Sequence, residues 1–401
     1  MSAPTPPQGT PAAHASADGP VPATPGLLRS INNRVVLDLL IRNGSLTRGD
    51  VRTLTGLSKP TASQLLTRLE ESKLVVASGF GSPRPGGRAP QLYELNPRSG
   101  FAAALEVTPS SVHAVIADIT GAEIASVLLP ATDTAFGPEL AISALSMACE
   151  TAKIAAADLS SVVVGAPGSY DPELDQLLFS DHLAGWQQAG LVAALSRSIG
   201  AAVFVENDVN LVAVAEQRAA QQPDEDFFLL WIDERIGGSI VINGQLYRGR
   251  HGGAGEAAFL QLPGVATVRD PARDNHGGFE DLAGQEAVVA LARVAGLPAD
   301  DAPTAVAAAV ASHPALLTEI AGRYAVGLSS VVALLDPARV VIAGSVVRAG
   351  GEELRREIES ELAAVAITTP PISTGQVIDA PILRGALLLS LDNTRDLVFA
   401  T

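Results

Sequence analysis

The sequence predicts a multi-domain protein: a small N-terminal module of helices with a β wing, followed by a two-lobed α/β body. Three observations carry this. At 401 residues with 47% hydrophobic content, the chain exceeds one usual domain of roughly 100 to 200 residues and can bury several cores. The charge is split: residues 1–98 hold 11 Lys/Arg against 6 Asp/Glu, a balance of +5, whereas residues 99–401 hold 16 against 37, a balance of −21. Finally, helical periodicity in the first part gives way after residue 101 to alternating strand and helix patterns.

The elements follow in order. Residues 1–25, "MSAPTPPQGTPAAHASADGPVPATP", are rich in Pro, Ala, Ser and Thr and lack the basic and apolar regions of a secretory signal, so a disordered tail is expected. From Leu27 to Arg42, Leu28, Ile31, Val35 and Leu39 recur at helical spacing, and Asn43-Gly44 stops the helix. In "SLTRGDVRTLTGLS", Thr47 can cap a short second helix with Asp50 as its capping-box partner, and Gly56 can end it. A third helix starts at Ser58, whose hydroxyl can cap the first turn; Pro60 is tolerated there because that position has no N–H partner to lose. Ala62, Leu65, Leu66 and Leu69 fall on one side of this helix. Pro60, Thr61, Ser63, Gln64, Thr67 and Arg68 fall on the other.

That second side has the chemistry of a major-groove reader: amides and arginines meet base edges, while hydroxyls and helix N-terminal amides hold phosphates. Short helix, turn, helix is the docking order of a helix-turn-helix. Two strands, "LVVAS" and "QLYELN", enclose the loop "GFGSPRPGGRAP", which reads as a wing carrying Arg84, Gly87 and Arg88 toward backbone or minor groove. The expected DNA-facing set is therefore Thr47, Ser58, Lys59, Pro60, Thr61, Ser63, Gln64, Thr67, Arg68, Arg84, Gly87 and Arg88. A cationic module suits a polyanion; the acidic remainder would be repelled by one. Boundaries are expected at 1–25 for the tail, 26–98 for the winged helix-turn-helix and 99–401 for the body.

In the body, "FAAALEV", "SVHAVIADI" and "EIASVLLPA" read as a three-strand meander, followed by the helix "PELAISALSMACETAKIA" and the buried strand "SSVVVGAPG". "DFFLLWID", "GSIVING" and "QLYRG" repeat the meander; the long helix "LLTEIAGRYAVGLSSVVALL" then precedes the strand in "DPARVVIAGSVV". A plan repeated in this way implies two lobes with a cleft. Cys149 is the only cysteine, which excludes a disulfide framework and a multi-cysteine metal site and fits a reducing cytoplasm. No apolar run reaches the ~18 residues that span a bilayer, so a soluble, cytoplasmic protein without membrane partners is expected.

With "LSKPTASQLLTRLEE", "PGGRAPQLYELN", "VVVGAPGSYD", "VENDVNLVAVAE", "INGQLYRGRHGGAGEAAF", "GGFEDLAG" and "DPARVVIAGSVV" in this order, the chain resembles the ROK family from about residue 26 onward. It is most similar to the regulator branch, a winged helix-turn-helix fused to a sugar-kinase-like domain of the actin-like (ribonuclease H-like) fold. The resemblance implies a sugar cradle: "NDVN" supplies Asn207 and the position of the kinase base, Asp208; Gly168 lies in the Pro-Gly turn beside the sugar; and Glu256 and Glu280 match the family's two glutamates. The same residue types also make local structure, an Asx turn at Asn207-Asp208 or a helix cap at Glu280.

Two departures set further expectations. Aligned on Glu280, the family's zinc cysteines fall on Pro271, Arg273 and Gly278, and its zinc histidine falls on Phe259, so no metal and no other cofactor is expected. The kinase phosphate loops match "EVTPSS", with Glu106 first and Pro109 lacking an N–H, and "IDERIGGS", where Asp233 and Glu234 place anions against a triphosphate. The resemblance thus implies a DNA-binding regulator, a repressor of carbohydrate-related genes that lacks kinase activity. Its expected partners are a double-stranded DNA operator, a sugar or sugar-derivative effector, and a second copy in a homodimer. The alternatives are an active sugar kinase with an appended DNA module and a ligand-independent DNA-binding dimer.

Overall fold

The computed structural model describes residues 25–82, 89–132, 137–180, 183, 185–223, 225–267 and 278–400. The chain divides into two compact units, with the division between Leu95 and Asn96. Among the described residues no helix is long and apolar enough to cross a membrane.

The first unit runs α1 (Pro25–Asn43), β1 (Ser45–Thr47), α2 (Arg48–Thr55), α3 (Lys59–Glu71), β2 (Val75–Phe80) and β3 (Gln91–Leu95). Its strands form one antiparallel sheet in the order β1-β3-β2. The expected capping box is present: the Asp50 amide donates to Thr47 Oγ1 at 3.2 Å, and the Thr47 amide donates to Asp50 Oδ2 at 2.9 Å. Gly56 ends α2 in the left-handed region at φ 70°, and the Thr61 amide donates to Ser58 Oγ at 3.3 Å to cap α3. One expectation needs correction, and one element was not foreseen. Among the described side chains of α1, Val36, Leu37 and Leu40 are buried, whereas Ile31 and Val35 are 49% and 41% exposed and the Leu28 side chain lies outside those described; α1 packs against β1, β3 and α2. Strand β1, only three residues long, carries no period of its own and is fixed by pairing with β3.

The second unit contains β4 (Phe101–Val107), β5 (Ser111–Asp118), β6 (Glu123–Pro130), α4 (Gly137–Ala152), β7 (Leu159–Ala166), the hairpin β8 (Ser169–Asp171) and β9 (Gln176–Leu178), α5 (Leu191–Ile199), β10 (Ala202–Asn207) and α6 (Asp208–Ala219). It continues with β11 (Phe227–Ile232), β12 (Ile236–Ile242), β13 (Gln245–Leu246), α7 (Gly278–Ala283), α8 (Gln285–Val294), α9 (Ala302–Ser312), α10 (Pro314–Leu335), β14 (Arg339–Ala343), α11 (Ser345–Val365), β15 (Ile372–Thr374) and α12 (Pro381–Phe399). Two five-stranded mixed sheets result, β10-β7-β4-β5-β6 and β13-β12-β11-β14-β15. Each has an antiparallel three-strand meander joined to two parallel strands, so each builds one lobe.

Both faces of the first sheet are covered, which explains its nearly continuous apolar strands. Ala103 and Leu105 of β4 face α4 and α5, while Ala102 and Ala104 face α12. In the second lobe Phe228 and Leu230 face a core shared with α9, α10 and α11. Helix α6 lies between the sheets: Val209, Val212 and Ala213 pack on Phe227 and Leu229, while Leu211 packs with Ala104 and Val163. Gly385 of α12 permits the close approach on that side, since a Cβ there would lie 1.9 Å from the Leu211 carbonyl oxygen. The N-terminus of α6 is therefore held where both lobes meet.

Candidate nucleic-acid face and ligand cleft

On α3 the leucine stripe and Ala62 are buried at 1% exposure or less. Ser58, Lys59, Pro60, Thr61, Gln64, Thr67 and Arg68 are exposed and Ser63 is half-buried, so the polar side forms one accessible surface. Pro60 stands in the first turn, where its missing N–H leaves no gap in the helix ladder. Thr47 is different. It is buried at 8% exposure and spends its hydroxyl on Asp50, which withdraws it from the accessible face. Arg84, Gly87 and Arg88 lie outside the described residues. The stem of the wing is present as the β2–β3 pair, with a bulge between Ala77 and Gly79.

In the body, Gly168, Asn207, Asp208 and Glu256 are drawn together, along with residues that sequence reasoning missed. Asn207 caps α6: the Asn210 amide donates to its Oδ1 at 3.0 Å, and its Nδ2 donates to the Gly168 carbonyl at 3.1 Å. The local structure expected at Asn207, an Asx turn, is thus present as the cap of α6, and its side chain lies beside Gly168. Gly168 sits at φ 117°, and a Cβ there would lie 2.5 Å from the Leu178 carbonyl oxygen, so only glycine fits the turn. Buried Ser169 donates its hydroxyl to Glu256 Oε1 at 2.5 Å, linking the β8 hairpin to the loop after β13.

The electrostatics are those of a crowded acidic pocket. Burial, then the charges of Glu256 and Glu106, push Asp208 up to about 6, against the opposing hydrogen bond from the Val209 amide. Burial also raises Glu256, partly countered by Ser169 and by Arg235, and burial alone raises Glu106. Glu106, placed by sequence in a failed phosphate loop, thus acts on Asp208. Buried Glu206 braces the pocket from behind: it accepts from Asn210 Nδ2 at 2.8 Å and from Arg248 Nε at 2.6 Å. Asn210 in turn accepts from Ser239 Oγ at 2.7 Å, tying α6 to the second sheet.

Glu280 anchors a strand. In α7, its Oε2 accepts the Ile236 amide at 2.8 Å, fixing the start of β12. Phe259, at the expected imidazole position, meets Phe179 of the other lobe with ring centroids 5.5 Å apart. An apolar ring pair cannot coordinate zinc, and Gly278 offers no donor; Pro271 and Arg273 lie outside the described residues. The residues present do not fit that metal.

Both phosphate loops are occupied by the protein's own groups. Between β4 and β5, the amides of Ser110 and Ser111 donate to Thr108 Oγ1 at 3.3 and 3.0 Å. After β11, Asp233 turns onto the N-terminus of α11, where it accepts the Ser345 hydroxyl at 2.7 Å and the Ser345 amide at 3.3 Å. A helix N-terminus is a ready anion site. Here the anion is Asp233.

A ROK family model matches residues 104–393, which is most of the chain. The chain belongs to the ROK family. A MarR family model matches residues 33–81, so the ROK domain follows a MarR-type winged helix. The putative xylose repressor of Caldicellulosiruptor sp. (strain Rt8B.4) is 26% identical over 354 residues, covering 82% of this chain and 88% of that protein. The DNA-binding transcriptional dual regulator NagC of Escherichia coli (strain K12) is 23% identical over 241 residues, 59% of this chain and 58% of NagC. A crystal structure of a ROK family transcriptional regulator, a homolog of the E. coli MLC protein, superposes with a TM-score of 0.71 at 18% identity, covering 93% of this chain and 99% of that one. The ROK hexokinase of Thermus thermophilus superposes at 0.62 with 24% identity, over 74% of this chain and 99% of its own. The shared fold of this ROK chain is thus the sugar-kinase-like α/β architecture behind a winged helix.

Proposed function

We propose that this ROK protein is a transcriptional repressor of carbohydrate-related genes: α3 and its wing bind duplex DNA, and the body senses a sugar-like effector without phosphorylating it. The observation that carries the reading is a pairing. The reading side of α3 faces outward, while Thr108 and Asp233 hold the groups that would have to bind phosphates. Phosphoryl transfer depends on positioning and on neutralising charge. Anionic Asp233 at the α11 N-terminus opposes both.

One recognition helix per chain calls for a homodimer on paired half-sites, acting on cytoplasmic DNA. An effector binding one cleft state better than another would shift the dimer's geometry by that difference in affinity alone. Electrophoretic retardation of genomic fragments at low salt, with and without xylose, tests the regulator reading; the expected result is retardation that a sugar modulates. No retardation of any fragment, together with ATP turnover that a sugar stimulates and Asp208→Asn abolishes, would establish the kinase alternative instead. The Asn207 amide is already engaged by Asn210 and Gly168, which favours a second reading, a ligand-free dimerisation scaffold. Thermal-shift screening with mono- and disaccharides separates the two, since a ligand of the folded state raises stability by mass action.

A further inference from the structure

We propose that the second lobe holds a ligand site of its own, separate from the cleft, for a small planar apolar molecule bearing one carboxylate. A cavity of about 410 Å³ lies there, lined in part by Trp231, Val347, Arg348, Gly351, Thr374 and Ile378. It shares none of its lining with the acidic cleft. Its size is that of a small-molecule pocket. It opens beside the carboxyl ends of three adjacent parallel strands, since Ala343 ends β14, Thr374 ends β15 and Trp231 is the penultimate residue of β11. Such ends are where open α/β sheets take ligands.

The wall is shaped for occupancy. Helix α11 leaves helical geometry at Gly351, with φ 56° and ψ −148°, beside the cavity. From behind, buried Glu216 of α6 accepts the amides of Gln376 and Val377, both at 2.8 Å, and so fixes the loop that supplies Gly375 and Val377 to the lining.

The lining also selects a chemistry. Trp231, Val347, Val377 and Ile378 offer an aromatic face and aliphatic walls to a flat apolar body. Arg348 is exposed and, among the described residues, its side chain has no hydrogen-bond or ion-pair partner. Glu352, the lining carboxylate one turn on, is already held by Arg355 Nε at 2.8 Å and by Arg356 Nε at 2.9 Å. Arg348 is thus the cation left for a ligand, and its planar fork matches a carboxylate. A phosphate ester fits worse, because Asp233 already occupies the adjoining helix N-terminus.

Calorimetric titration of the full chain with benzoate, cinnamate and indole-3-acetate, each beside its uncharged amide, tests this. At least one acid should bind saturably at one site per chain, about tenfold more tightly than its amide, as expected for one charge-assisted contact. Arg348→Ala, a change at an exposed side chain, should reduce that acid to the affinity of its amide while the melting temperature holds. No saturable heat for any acid, equal affinities for acid and amide, or unchanged acid binding in Arg348→Ala would each overturn the proposal.

Discussion

The two lobes of the body share a strand order and differ in what they do with a helix N-terminus. In the first lobe α6 is capped by neutral Asn207, and the next residue, Asp208, faces other carboxylates with its own pushed up to about 6. In the second lobe α11 is capped by an anion, Asp233, brought from the end of another strand. One topology thus yields a cluster of buried carboxylates at one helix N-terminus and an N-terminus closed by Asp233 at the other. The helix dipole and free amides come with the backbone. Which side chain reaches them decides what can bind.

Three substitutions sharpen or break that contrast, in descending order of effect. Gly385→Ala drives a Cβ into the Leu211 carbonyl and pushes α12 off α6, the helix that Asn207 caps and Asp208 begins. A loss of about 3 kcal/mol, the upper range for overpacking, is expected in urea melts. If stability is unchanged, the close packing that positions the first-lobe cluster is refuted.

Asp208→Asn comes next. The folded-state pKa of Asp208 lies above its ordinary 3.8, at about 6, so the native state binds the extra proton and stability falls as pH rises between those values. Asn never carries that charge. The variant should therefore be more stable than wild type at pH 7, by roughly 2 to 3 kcal/mol, with the gap closing near pH 4. A gap that persists at pH 4, or that has the opposite sign at pH 7, would contradict the crowded-carboxylate picture.

Asp233→Ala removes the cap of α11 and should cost about 1 kcal/mol, read as a lowered melting temperature. No ATP turnover is expected of this variant, because Thr108 still holds the amides of the other loop. Turnover that appears on this single change would mean that the second lobe alone had been silenced.

The legible parts of the fold were those written locally. Caps at Thr47 and Ser58, the turn at Gly56 and the leucine stripe of α3 are decided within a few residues, so the helix-turn-helix could be read directly. The stripe of α1 was misplaced because several of its positions are apolar, and only packing against the sheet selects Val36, Leu37 and Leu40 over Ile31 and Val35. In the cleft, Asn207, Asp208 and Glu256 stood out through their motifs, whereas Ser169 gave no such signal and Glu106 stood out only as part of a phosphate-loop match. Their roles depend on contacts across long stretches of chain, Ser169 with Glu256 and Glu106 with Asp208.

By itself the sequence determined the division into a cationic module and an acidic body, the capped helices of the reading motif and the repeated meander. Each of these is a matter of residue type and short-range spacing. Only the tertiary structure decided that Asp233 would seat itself on α11, that Thr47 would turn inward, and that three carboxylates would face one another beside α6. Burial and electrostatic interaction depend on distance in space, and a linear order of residues leaves that distance open until the sheets and helices have packed.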